Sequence, residues 1–66
     1  MIHIRFEGRS YDVAEEKLGI TSQASDERVK TQVANFLGVK PNHLHNYVID
    51  RLKGGNLVIR PEAVYG

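Results

Sequence analysis

Apolar and polar side chains alternate at the start of the chain. Ile2, Ile4 and Phe6 are separated by His3, Arg5 and Glu7, the period of a strand with one buried face. Gly8-Arg9 follows, and glycine at the first central position of a two-residue loop predicts a type II′ hairpin. That loop pairs Glu7 with Ser10, sets Phe6 opposite Tyr11 and Ile4 opposite Val13, and keeps all four apolar residues on one side. On the other side Arg5 falls opposite Asp12 as a cross-strand charge pair.

Two readings are open for the next stretch. Ala14 to Leu18 suits one helical turn, with Leu18 and Ile20 folded back over the sheet edge, whereas Gly19 and Thr21-Ser22-Gln23 suit an ordered loop. A regular helix is predicted from Asp26, with Ser25 as its N-cap and Asp26 and Glu27 placing negative charge where the helix dipole favours it. Val29, Val33, Phe36 and Leu37 form its buried stripe, and Gly38 supplies the left-handed ending, with Val39 making the accompanying apolar contact.

Pro41 is placed to start a short helical turn over Asn42 to Asn46, with Leu44 pointing inward. Tyr47 to Leu52 and Leu57 to Arg60 read as two further strands, joined through Lys53-Gly54-Gly55-Asn56. A two-residue Gly-Gly loop would set Asp50 opposite Ile59 and push a carboxylate toward the core. Pairing Ile49 with Ile59 and Arg51 with Leu57 avoids this and requires a loop of three or five residues. Pro61 should stop the last strand, because it has no N–H for a ladder.

These elements predict an α+β fold, a two-layer sandwich of ββαββ type with one main helix. A right-handed crossover makes the first strand parallel and adjacent to the fourth, so the mixed four-stranded sheet has the order 2-1-4-3. The whole chain, 1–66, is expected to be a single small domain, with 61–66 as a mobile tail.

Composition narrows the function. A chain of 66 residues buries only about 60% of the surface its unfolded form exposes, and without cysteine it has no disulfide or thiolate metal site to compensate. Nine basic against eight acidic residues give a net charge of +1, far from the field of a dedicated nucleic-acid binder. No apolar run approaches a membrane span. Met1 leads directly into the strand pattern instead of a basic and apolar leader, so a cytoplasmic location is expected.

The predicted arrangement resembles a trimmed β-grasp, the ubiquitin-like fold. The stretch Asn56-Leu57-Val58-Ile59-Arg60-Pro61-Glu62-Ala63-Val64-Tyr65-Gly66 is similar to the last strand and tail of the small sulfur carriers of thiamine and molybdopterin synthesis. In that family the chain ends in Gly-Gly, and an ATP-dependent activating enzyme adenylates the terminal carboxylate, which then accepts sulfur or an amine. The resemblance implies the same role for Gly66, while Tyr65 stands where the family carries its penultimate glycine.

Other constellations point to structure before chemistry. His43 and His45 are two apart, unlike the i, i+4 spacing of helical zinc ligands, and read as exposed imidazoles beside Leu44. Ser10, Ser22 and Ser25 suit turns and caps better than a nucleophile's strand–elbow–helix setting. Lys53-Gly54-Gly55-Asn56 lacks the following helix of a phosphate loop and reads as a hairpin turn. No catalytic residue, metal or cofactor is expected, and no small-molecule substrate. The predicted register leaves Val48, Asp50, Val58 and Arg60 on a sheet face turned away from the helix. The expected function is therefore a non-enzymatic interaction module. It would bind a protein partner, or form a homodimer, through Val48, Val58 and Arg60 together with Tyr65 in the tail. A carrier acting through Gly66 is the first alternative. Weak binding of RNA or single-stranded DNA by Lys40, Arg51, Lys53 and Arg60 is the second.

Overall fold

The computed structural model describes residues 1–62. Two antiparallel hairpins share one sheet: β1 (Ile2–Phe6) with β2 (Arg9–Val13), and β3 (Tyr47–Arg51) with β4 (Leu57–Pro61). β1 and β4 run parallel at the centre, giving the order β2-β1-β4-β3. Between the hairpins come α1 (Glu15–Leu18), the main helix α2 (Asp26–Leu37) and a 3-10 turn, Pro41–Leu44. This is the α+β fold and strand order that the hydrophobic pattern predicts.

The main helix is bounded by its own sequence. Ser25 Oγ accepts from the Arg28 N–H at 3.2 Å, which satisfies one of the orphan donors of the first turn. At the other end Gly38 takes φ 74°. The Val39 N–H then reaches the Ala34 carbonyl at 3.0 Å and the Gly38 N–H that of Asn35 at 3.3 Å, a Schellman ending. Both open readings of residues 14–25 hold in part. One helical turn forms and stops at Gly19, and the loop beyond it is ordered, with Leu18 and Ile20 both buried. Gln32 of α2 holds this turn in place by donating to the Leu18 carbonyl at 2.7 Å.

All of the core lies on one side of the sheet. Ile2, Ile4, Phe6, Val13, Leu57 and Ile59 meet Val29, Val33 and Ala34 from α2, together with Leu18, Ile20 and Leu44. Burial of this continuous apolar layer is the main force holding so short a chain together. Phe36 departs from the predicted stripe. It stays 44% exposed, and its ring meets Tyr11 edge-on, with centroids 5.9 Å apart. The smaller Ala34 fills the inward position instead, because the stripe passes through positions 29, 33 and 34 at the sheet contact.

Three boundaries correct the sequence reading. The first hairpin turns at Glu7-Gly8, with φ of 49° and 77°, so Phe6 opposes Arg9, and the loop is of the type I′ sense. The predicted Gly8-Arg9 loop would have left Ile2 beyond the end of β2, whereas the observed register sets it opposite Val13. The expected pairing of Arg5 with Asp12 is replaced by His3 with Asp12. In the second hairpin the predicted register is found: Ile49 opposes Ile59 and Arg51 opposes Leu57. The loop covers five residues, 52–56, with Gly54 and Gly55 at φ 82° and 83°. β3 therefore stops at Arg51, not Leu52. Pro61 ends β4 as its last paired residue, opposite Tyr47, and does not stop the strand one residue earlier.

Candidate functional site

The side of the sheet away from α2 carries His3, Arg5, Ser10, Asp12, Val48, Asp50, Val58 and Arg60, which alternate with the core residues along each strand. Among the described residues no helix packs on this side, and none of these eight is buried.

Register organises the eight into two rows across the strands. Asp12 opposes His3, His3 opposes Val58, and Val58 opposes Asp50. One step along, Ser10 opposes Arg5 and Val48 opposes Arg60. Continuing the parallel register beyond Ile4–Ile59 brings Arg5 beside Arg60, and both line one shallow recess with Glu7, Arg9 and Pro61. The first row carries two carboxylates and the second two guanidinium groups. An ion pair joins the rows diagonally, where Arg60 Nε donates to Asp50 Oδ2 at 2.7 Å.

The predicted partner-binding residues Val48, Val58 and Arg60 thus share one face and neighbouring strands. The two valines are diagonal, so the Asp50–Arg60 pair lies between them and the apolar patch is divided. Tyr65 and Gly66, the tail positions of the sequence reading, lie outside the described residues.

The four basic residues considered for nucleic acid do not converge on one surface. Arg60 is on the open side, whereas Arg51 has the parity of Tyr47 and Ile49 and reaches into the helix layer. There it donates to the carbonyls of Ser22 at 2.7 Å and Ala24 at 2.6 Å, and to Asp26 Oδ1 at 2.8 Å. Lys53 is in the hairpin turn, and Lys40 precedes the 3-10 turn. His43 and His45 are exposed, and no cluster of metal-ligating side chains occurs among the described residues. No described helix is long and apolar enough to cross a membrane.

Sequence parity places Arg5 on this side, and the structure sets it opposite Ser10 instead of Asp12. The predicted hairpin register had assigned it to Asp12, and its place beside Arg60 depends on the long-range pairing of β1 with β4. No family model, curated protein or solved structure matches the chain.

Proposed function

We propose that the protein is a small non-enzymatic interaction module that docks a protein partner on the open side of its sheet, around Val48, Val58 and Arg60. The observation that supports this most is the one-sidedness of the core. Every buried apolar side chain among the described residues belongs to the helix side, while the opposite side offers two half-buried valines framed by ordered charges. Arginine is enriched among the anchors of protein interfaces, and the two valines add apolar area beside it. The Asp50–Arg60 pair is partly exposed, and such pairs contribute little to stability, so Arg60 exchanges its carboxylate for a partner's at small cost. The proposal includes a cytoplasmic location and counts Tyr65, outside the described residues, among those that contact the partner.

The test is a double variant, Val48→Ala with Val58→Ala, compared with the unaltered protein as bait in its native lysate. Proteins captured by the unaltered chain should be lost from the variant while its far-ultraviolet spectrum is unchanged. Identical capture by both overturns the proposal.

A second reading is a ubiquitin-like modifier or sulfur carrier activated at Gly66. It is favoured by the 2-1-4-3 sheet with a parallel central pair beneath one helix, the arrangement implied by the family resemblance. Intact mass measurement of protein recovered from its own cells decides it. A thiocarboxylate or an isopeptide adduct supports the reading, and a free carboxylate throughout removes it.

A further inference from the structure

The outer edge of β3 has an unused half-ladder with a defined phase. Two hydrogen bonds flanking the β3–β4 pairing set that phase: the Leu52 N–H donates to the Asn56 carbonyl at 2.8 Å, and the Glu62 N–H to the Asn46 carbonyl at 2.7 Å. In an antiparallel pair, hydrogen-bonded and non-bonded positions alternate. Asn46, Val48, Asp50 and Leu52 therefore direct their backbone groups to β4, and Tyr47, Ile49 and Arg51 direct theirs outward. Among the described residues no strand pairs with that edge.

The opposite edge is protected differently. In β2 the observed register, with Phe6 opposite Arg9, turns the backbone groups of only Ser10 and Asp12 outward, and the strand exposes Arg9, Ser10 and Asp12. Charged side chains on a short edge are the usual guard against strand addition. β3 is equally short and also carries two charges, Asp50 and Arg51, but it turns three backbone positions outward, and two of the side chains there are Tyr47 and Ile49.

We infer that β3 pairs antiparallel with β3 of a second copy of this chain, centred on Ile49, and so joins two sheets into one of eight strands. Charge selects this register. Centring on Ile49 sets Val48 opposite Asp50 of the second copy, and Tyr47 opposite its Arg51. The row carrying Arg5 and Arg60 then continues into the row of the second copy that carries Asp50 and Asp12, and the reverse holds across the two-fold axis. Centring on Val48 would give no charge complement across the seam, since the two Arg60 groups lie beyond a pair of facing valines, and centring on Asp50 would set that carboxylate directly against its counterpart. Like charges directly opposite destabilise a strand pair. The Ile49-centred register also matches the hydrogen-bonding phase, since Ile49 meets Ile49 and Tyr47 meets Arg51, all with outward backbone groups.

This contact uses the edge of the sheet and does not depend on what its open side binds. A five-residue ribbon falls in the small class of interfaces, under about 1,200 Å², so the dimer is reversible and concentration-dependent.

Sedimentation of the full chain, up to about 1 mM, with amide exchange measured at the same concentrations, tests the inference. The mass should rise from 7.5 kDa toward twice that value as concentration increases. The amides of Tyr47, Ile49 and Arg51 should become protected in step with it. Val48→Asp, on the open side and away from the core, should abolish the dimer by facing Asp50 of the second copy. Val48→Lys should retain or strengthen it, whereas a dimer formed face to face through the valines would be lost in both variants. A chain that remains monomeric at about 1 mM, or that dimerises while those three amides exchange freely, overturns the inference. Because the mass and exchange data come from the unaltered protein, the outcome stands even if a variant does not fold.

Discussion

Arg51 and Asp26 are 25 residues apart in sequence, and their side chains meet at 2.8 Å, which fastens the start of α2 to the edge strand β3. The same guanidinium holds the Ser22 and Ala24 carbonyls, so one side chain orders the whole approach to the helix. A planar fork of donors makes this possible, and lysine cannot reproduce it.

Removing that clamp should therefore be felt in the loop before it is felt in the sheet. Arg51→Ala is expected to cost about 1–2 kcal/mol, the lower part of the range for charged hydrogen bonds because the side chain is partly exposed. Arg51→Lys should recover less than half of this. Chemical denaturation gives the energies, and faster proteolysis within residues 21–25 locates the effect.

The first hairpin carries a removable strain. Glu7 has φ 49°, a conformation that asparagine tolerates better than glutamate, and Gly8 follows it with φ 77°. Glu7→Asn should stabilise the protein by up to about 1 kcal/mol, which in a domain of this size raises Tm by about 4–8 °C. Gly8→Ala should lower Tm, although a Cβ there would meet nothing within 4 Å, because the cost lies in the backbone. Thermal unfolding of the two variants checks both signs.

Core truncations should separate sharply by position. Ile59 is fully buried at the centre of the sheet, and Ile59→Ala should cost about 2–5 kcal/mol. At about 0.05–0.15 kcal/mol per residue, a chain of 66 residues has about 3–10 kcal/mol in total, so this variant should lose a large share of its stability and unfold at a much lower denaturant concentration. Phe36→Ala, at the exposed edge of α2, should cost only about 1 kcal/mol through loss of the Tyr11 contact. Circular dichroism during denaturation distinguishes them.

The sequence carries the strand order and the second hairpin openly, and the reasons are local. A carboxylate at position 50 cannot face the core, which excludes the short Gly-Gly loop and leaves the register that sets Ile49 against Ile59. The first hairpin offers no such veto. A shift of two residues leaves Ile2, Ile4, Phe6, Tyr11 and Val13 on the same side, so the alternating pattern admits both registers, and only the partner for Ile2 separates them. The same ambiguity gave Arg5 the wrong cross-strand partner, Asp12 in place of Ser10. Val48, Val58 and Arg60 were readable from parity alone, but the ion pair dividing the valines runs diagonally and depends on side-chain reach. Arg51 gave a signal in its parity: a charged residue in step with Tyr47 and Ile49 must find polar atoms on the helix side. Two of those atoms, the Ser22 and Ala24 carbonyls, belong to a loop whose path no periodicity describes.

Shift mapping of the isotopically labelled protein, titrated with a partner recovered by capture, tests the central claim most directly. If the bare side of the sheet is the working surface, the amide signals that move should be those of His3, Arg5, Val48, Val58 and Arg60. Glu27, Lys30 and Thr31, which line a shallow recess beside α2 with Pro41 and His45, should stay in place. Movement confined to that helix-side recess, with the sheet signals unchanged, would contradict the account.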